Sequence, residues 1–312
     1  MKASDFLTSE ELKFFTARSD LRGAWVVACN WLSIAAVFVG VALWTNPLTI
    51  VLAILLLGGR QMGLAVLMHE AGHKTLFRTQ ALNQAVGQWL CAYPILGNCD
   101  AYGASHREHH RTAGTDADPD LPNYRHYPVS RESFLRKIKR DLTGQTGVKL
   151  LGALVTGGGR NIMMREGEKT NALGQGLLVN LALFALLGLA GHPEFYLLWV
   201  IAYLTSYPLI ARIRQVAEHG NVPDLFDPDP RLNTRTTIPR WFERPFLCPN
   251  NVNYHVEHHL LASVPCHKLK ALHNRLHDKG FYAGHEHTLA RGYWDVIKRA
   301  VPDLDKSQAA AA

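Results

Sequence analysis

The chain has 312 residues, 47% hydrophobic and 19% charged, with a formal net charge of +7. Its mean hydropathy of −0.05 averages long uncharged stretches with polar ones, so composition excludes neither a soluble nor a membrane protein and the segments decide. Five cysteines without a C-x-x-C pair exclude a disulfide framework and imply reduced thiols.

In chain order, Met1 to Arg22 is charged and amphipathic, unlike a cleavable signal, and its Phe6, Leu7, Leu12, Phe14 and Phe15 are expected to lie along a bilayer surface. Ala24 to Trp44 carries no charge and is long enough, at about 1.5 Å per residue, to cross a hydrocarbon core of about 30 Å. Leu48 to Gly59 is also apolar. Continuing through Arg60 to Met68 makes a second crossing, with Arg60 snorkelling or facing the bundle. The first histidine cluster follows at once, His69-Glu70-Ala71-Gly72-His73, its two histidines i, i+4 on one helix face.

Thr79 to Cys99 is uncharged but carries Asn83, Gln84, Gly87, Gln88, Pro94, Gly97 and Asn98, too polar and broken for a lipid-facing span, and reads as a re-entrant or interfacial helix. The second cluster is His106-Arg107-Glu108-His109-His110. Asp116, Asp118 and Asp120 after it read first as turn caps. Thr143 to Gly159, ending in Gly157-Gly158-Gly159, reads as another interfacial piece. Ala172 to Gly191 and Phe195 to Ala211 form a second apolar pair separated only by His192, Pro193 and Glu194.

Beyond it, His219 follows Arg212 by seven residues as His69 follows Arg60 by nine, so two helical stalks raise histidines to similar heights, about 10–14 Å above the apolar band. The third cluster is His255-Val256-Glu257-His258-His259. His273 and His277, on an amphipathic helix with Leu269, Leu272 and Leu276, read as a surface pair. His126, His192, His267, His285 and His287 receive no role.

The expected fold is therefore all-α and integral to the membrane: four transmembrane helices in two hairpins under a cytoplasmic helical cap that holds the histidines. A single domain, 1–312, divides into an interfacial segment 1–23, a first hairpin 24–68, cap residues 69–171, a second hairpin 172–211 and cap residues 212–312. The turns Thr45 to Pro47 and Gly191 to Glu194 contain no Lys or Arg, whereas the N-terminus, the middle segment and the C-terminal third are rich in both. Those basic regions are expected in the cytoplasm, with the protein in the cell's inner membrane, and all three clusters then emerge on one face. Basic residues flanking membrane helices serve lipid headgroups and leave no case for nucleic acid.

The three clusters hold eight of sixteen histidines. Imidazole is the commonest ligand of transition metals at neutral pH, and eight exceed what one four-coordinate zinc uses, so two ions are expected. His69 to His73 also fits the H-E-x-x-H of zinc proteases, intramembrane ones included, but that reading leaves two clusters without a task. Carboxylate diiron bundles need paired Glu-x-x-His motifs, and Glu70 with His73 is the single one here. A non-enzymatic membrane sensor or channel with a structural metal stays open on spacing alone. Glu70, Glu108, Glu218 and Glu257 adjoin the histidines and are candidates to accept their second ring N–H and fix the tautomer; the alternative for each is a solvated helix face.

The three clusters, their order, the long middle spacing and the two apolar hairpins resemble the membrane fatty acid desaturase and hydroxylase superfamily, over Ala24 to His277. The resemblance implies a non-haem diiron centre ligated by His69 and His73, by His106, His109 and His110, and by His255, His258 and His259, with His219 as a ninth ligand. Some relatives carry an Asn one turn before that last histidine, holding a metal-bound water; Gln215 stands there here. It further implies dioxygen as co-substrate, electrons from a separate ferredoxin-like or small cytochrome donor, and a lipid or acyl-chain substrate into which a double bond is introduced. Hydroxylation or oxygenation of a lipid, carotenoid or hydrocarbon is the alternative within the superfamily.

Overall fold

The computed structural model describes residues 1–156 and 172–304. The glycine run expected to close the second interfacial piece, Gly157-Gly158-Gly159, lies outside them.

Helix α1, Ser9–Thr16, opens on a capping box in which Thr8 Oγ1 accepts from Glu11 N and Glu11 returns a carboxylate to Thr8 N. Helix α2, Asp20–Leu43, and helix α3, Pro47–Gly72, form a closely packed pair joined by a short turn. Asn46 turns it by accepting from both Leu48 N and Thr49 N, with Pro47 in the first helical position where no N–H is needed. The pair closes where Asn30 donates to the Arg60 carbonyl at 3.2 Å. A Cβ on Gly63 would fall 2.1 Å from Asn30 Oδ1, so only glycine permits this approach. Arg60 itself turns to the cap and donates to the Pro245 carbonyl at 2.8 Å.

After α3 the chain folds back on it. Helix α4, Gln80–Val86, runs into a wider turn, Gly87–Ala92, and a tight one, Tyr93–Ile95. The polar residues that argued against a lipid-facing span are used inside: Asn83 bridges Phe77 N and the Ala71 carbonyl, and Gln88 accepts from Cys99 N. Helix α5, Cys99–Thr112, then carries the second cluster. Helix α6, Arg131–Leu142, reaches Arg212 through Asp141, which holds its guanidinium by two oxygens, and helix α7, Gln145–Thr156, leaves Val148 and Val155 exposed.

Helix α8, Ala172–Leu189, helix α9, Tyr196–Leu204, and helix α10, Ser206–His219, make the second apolar group. Asn180 in α8 accepts from Tyr196 Oη and Trp199 Nε1 of α9. The break between α9 and α10 falls at Thr205, just before Pro208, whose missing N–H and ring disfavour an unbroken turn there. Among the described residues, three helical stretches are long and apolar enough to cross a membrane, Asp20–Leu43, Pro47–Gly72 and Pro193–His219. The described part of α8, 18 residues, rises about 27 Å. Around this bundle the usual arrangement is inverted. Leu32, Val39, Leu48, Val51, Leu181 and Leu197 are more than half exposed, whereas Asn30, Gln61 and Asn180 are buried. An apolar belt of this extent belongs against lipid, and the protein is embedded in a membrane.

The cap is completed by helices α11, His255–Leu260, α12, Cys266–Asp278, and α13, Tyr293–Ala300, and by a short parallel pair, β1, Thr236–Ile238, against β2, Leu289–Arg291, in register Thr237↔Ala290. These are the only strands among the described residues. The N-terminal segment packs on the cap: Leu7 and Phe15 are buried with Leu269, Leu272, Leu276 and Phe281, Phe6 meets Phe281 edge-on at 4.9 Å, and Glu11 takes Arg275 and Lys279. Of the aromatic residues expected along the bilayer, Phe14 stays exposed.

Candidate metal centre

Four helices meet just beyond the apolar bundle. His69 ends the last turn of α3 and His73 is the residue that caps it. His106, His109 and His110 come from α5, His219 ends α10, and α11 contributes His255, His258 and His259. Helix periodicity aims each set at one point, and the close crossing of α3 with α5 brings the first two sets together. At that crossing a Cβ on Gly103 would fall 2.9 Å from Gly72 Cα.

The nine histidines divide into two groups, His69, His73, His106, His110 and His258, and His109, His219, His255 and His259, with ligand nitrogens in each group within 4.8 Å of one another. In the first group four Nε2 atoms form a closed ring: His69 to His106 2.8 Å, His106 to His110 3.0 Å, His110 to His258 2.9 Å and His258 to His69 3.0 Å. A ring nitrogen carries either a hydrogen or a lone pair, so such a ring makes poor hydrogen bonds. Its edges instead match neighbouring ligands on one ion, because nitrogens at right angles and about 2.0–2.1 Å from a metal stand about 2.9 Å apart. His73 Nε2, buried and without a hydrogen-bond partner, joins the same group. In the second group His219 and His255 approach to 2.9 Å and His109 and His259 to 3.3 Å. The groups adjoin, with the rings of His110 and His259 4.3 Å apart. This donor set suits transition-metal ions.

Tautomers are fixed where a second ring nitrogen finds an acceptor. His109 Nδ1 donates to Asp118 Oδ1 at 2.8 Å, and Asp118, itself buried, also accepts from Tyr124 Oη and from Asp120 N. His219 Nδ1 donates to the Asn233 carbonyl at 3.0 Å. In both rings Nε2 is left with its lone pair toward the group. Burial pushes His73 down to about 3 and His106, His110, His255, His258 and His259 well below the ordinary range, so all six are neutral and able to ligate. His109 differs: burial pulls it down, but the Asp118 hydrogen bond and the charges of Asp120 and Glu218 carry it above its usual value. These carboxylates are arranged to meet positive charge.

The glutamates expected to orient histidines occupy varied places. Glu70 lies 3.7 Å from His69 Nδ1 and holds Cys266 N at 2.9 Å and Thr75 Oγ1 at 3.0 Å, clamping α12 to α3. Glu108 pairs with Arg111 on an exposed face. Glu218 pairs with Arg214 and comes within 3.9 Å of His255 Nδ1. Glu257 is fully buried and accepts from Thr236 Oγ1, Tyr282 Oη and His273 Nδ1. His273 is thus tied into the cap rather than part of a surface pair. Gln215 lines the cavity beside the histidines. Asp118, read first as a cap, both caps and orients; the Asn233 carbonyl had no sequence signal.

Comparison with known proteins agrees with this geometry. The fatty acid desaturase family pattern matches residues 45–291. The dihydrorhizobitoxine desaturase of Bradyrhizobium elkanii is 30% identical over 283 residues, covering 84% of this chain and 77% of that protein. The sn-1 oleoyl-lipid 12-desaturase of Anabaena variabilis is 21% identical over 299 residues, covering 89% and 82%. Membrane helices, a histidine cluster able to bind metal and matches along most of its length together show that the chain belongs to the fatty acid desaturase family and is a membrane oxidoreductase of the desaturase type.

Proposed function

We propose that this protein is a dioxygen-dependent diiron desaturase that introduces a double bond into an acyl or lipid-like aliphatic chain. The observation that carries the reading is the sorting of nine histidines into groups of five and four that adjoin each other. One ion would be held by His69, His73, His106, His110 and His258, the other by His109, His219, His255 and His259. Iron suits imidazole ligands, and two irons supply the oxidising power, drawn from dioxygen, that removal of unactivated hydrogen requires. The chain's own task is to hold neutral imidazoles, to place carboxylates around the charge and to exclude bulk water. Reducing equivalents come from a separate ferredoxin-like or small cytochrome donor, for which the basic cap offers a docking charge.

The topology we favour keeps four crossings in two hairpins, α2 with α3 and α8 with the α9–α10 stretch, the shorter α8 being completed by tilt or local thinning of the bilayer. The Lys- and Arg-free turns then face away from the cytoplasm and the histidines toward it, at the inner membrane.

The test is mass spectrometry of lipids and small amphiphiles from cells with and without the protein, together with metal analysis of the purified chain. Loss of two hydrogens and about two irons per chain are the expected results. An added oxygen would move the assignment to hydroxylation, and a single stoichiometric zinc would favour the H-E-x-x-H reading.

A further inference from the structure

On the cap, Trp241 is 84% exposed and Phe242 beside it 47%, and their rings meet edge-on at 5.7 Å. Aromatic side chains gain nothing from standing in water, and an exposed apolar patch rimmed by charge marks a surface that has a partner. The rim here is basic, with Arg240 before the pair and Arg244 after it, both exposed.

The turn that presents the pair is held from within. Glu243, itself buried, accepts from Arg240 N at 2.7 Å and from Tyr293 N at 3.0 Å, and its own N–H donates to the Arg240 carbonyl at 3.1 Å. The carboxylate therefore ties the turn to the start of α13, while Trp241 and Phe242 stay on its outer side. Trp294, next to Tyr293, is exposed as well.

The height of the turn follows from the residues after it. A single helical turn, Arg244–Leu247, lies on α3: the Pro245 carbonyl accepts from Arg60 at 2.8 Å, and a Cβ on Gly59 would fall 2.9 Å from that carbonyl and 3.1 Å from Phe246 Cα. Gly59 continues the stripe of α3 formed by Leu48, Leu52 and Leu55, all exposed in the apolar belt. The Arg60 carbonyl in turn accepts from Asn30, six residues or about 9 Å inside the uncharged stretch of α2 that starts at Ala24. The chain around Pro245 thus closes the upper edge of the belt, where hydrocarbon gives way to headgroups. Tryptophan settles in that layer, and its phosphates are acceptors suited to Arg240 and Arg244. A soluble protein docking here would have to displace lipid from the same edge.

We propose that the turn Arg240–Glu243 anchors the cap to the bilayer, with Trp241 and Phe242 seated among the phospholipid headgroups of the leaflet nearest the cap. The cap is then held to the membrane at a point of its own, besides the helices that enter it. This needs the embedding of the chain in a membrane and nothing of the chemistry at the histidines.

The experiment uses the full chain in nanodiscs of phosphatidylcholine and phosphatidylglycerol, brominated either close to the headgroup or close to the end of the acyl chain. Tryptophan emission of the wild type minus that of Trp241→Phe isolates one indole among seven. The change is conservative and its site exposed, so the fold is kept, and a matching circular dichroism spectrum checks this. The difference emission is expected to fall about twofold or more with shallow bromine and less with deep bromine, and to be shielded from aqueous acrylamide relative to free tryptophanamide. Acrylamide quenching as strong as that of tryptophanamide, with no response to either bromine, overturns the proposal and makes the patch a docking face for a soluble partner. Stronger quenching by deep than by shallow bromine also overturns it, by placing the ring in the hydrocarbon.

Discussion

His258 shows how much one imidazole carries. Its Nε2 stands 3.0 Å from that of His69 and 2.9 Å from that of His110, so it closes the ring between α3 and α5 from a third helix. His258→Ala is expected to abolish turnover and lower iron content while the protein still inserts into the membrane; unchanged iron and activity would remove it from the ligand set. Asp118 and Glu108 make a sharper contrast because both neighbour the second cluster. Asp118 fixes the tautomer of His109, and Asp118→Asn should cost about 10–100-fold in metal affinity or activity, as loss of such partners generally does. Glu108→Gln, on an exposed face with Arg111, should leave both nearly unchanged. Iron titration of the two variants side by side measures the difference. The grouping of the eight clustered histidines was legible because spacings of three and four residues are a local property of helices, and His219 came from its height above Arg212. Asp118 was only half legible, since a carboxylate after a helix caps turns far more often than it orients a ligand. The Asn233 carbonyl was not legible at all: a backbone oxygen carries no residue-type signal.

Helices were read well where apolarity was continuous and less well where length and partner mattered. Asp20–Leu43 and Pro47–Gly72 match their expected spans, while α8, apolar but for Gln175 and Asn180, stops at Leu189, two residues before the expected end. The N-terminal segment was expected on lipid because amphipathicity does not say what an apolar face will meet; Leu7 and Phe15 found α12 instead. The same limit hid the α3–α5 crossing. Nothing in the sequence pairs Gly72 with Gly103, yet their contact sets the separation of the first two histidine clusters, with a Cβ on Gly72 falling 2.9 Å from Gly103 Cα. Gly103→Ala must push backbone from backbone, since the Arg107 side chain 3.1 Å from the new Cβ can yield but Gly72 Cα, nearer at 2.9 Å, cannot. Overpacking of this kind costs about 1–3 kcal/mol. The expected result is a lower midpoint of thermal unfolding and fewer than two irons per chain, because the ring joining His69 to His106 opens. A variant with normal iron and an unchanged midpoint would show that the crossing does not control the centre.

Across the whole molecule, a lipid-facing bundle and a polar cap are joined by the same nine side chains. The bundle has its own core of Ile34, Phe38, Leu57, Trp199 and Tyr203, and the cap has another around Leu269, Leu272 and Phe281. Between them lies a layer of buried nitrogen that neither core stabilises: His69 Nδ1, His73 Nε2, His255 Nδ1 and His258 Nδ1 have no hydrogen-bond partner. Buried polar atoms without partners cost stability, and ligation at the opposite nitrogens of His69, His255 and His258, and at Nε2 of His73, would offset that cost. Metal binding should therefore be worth more to the layer than to either core. Chelation is expected to leave helical content and membrane insertion intact while amide hydrogen exchange rises in α5 and α11, with α2 unchanged, since ions that bind only the folded state stabilise what they bridge. Exchange measured by mass spectrometry on iron-loaded and chelator-treated protein checks this. Uniform acceleration would mean that the ions hold the entire fold, and no acceleration in α5 and α11 would mean that the two cores align the histidines without them.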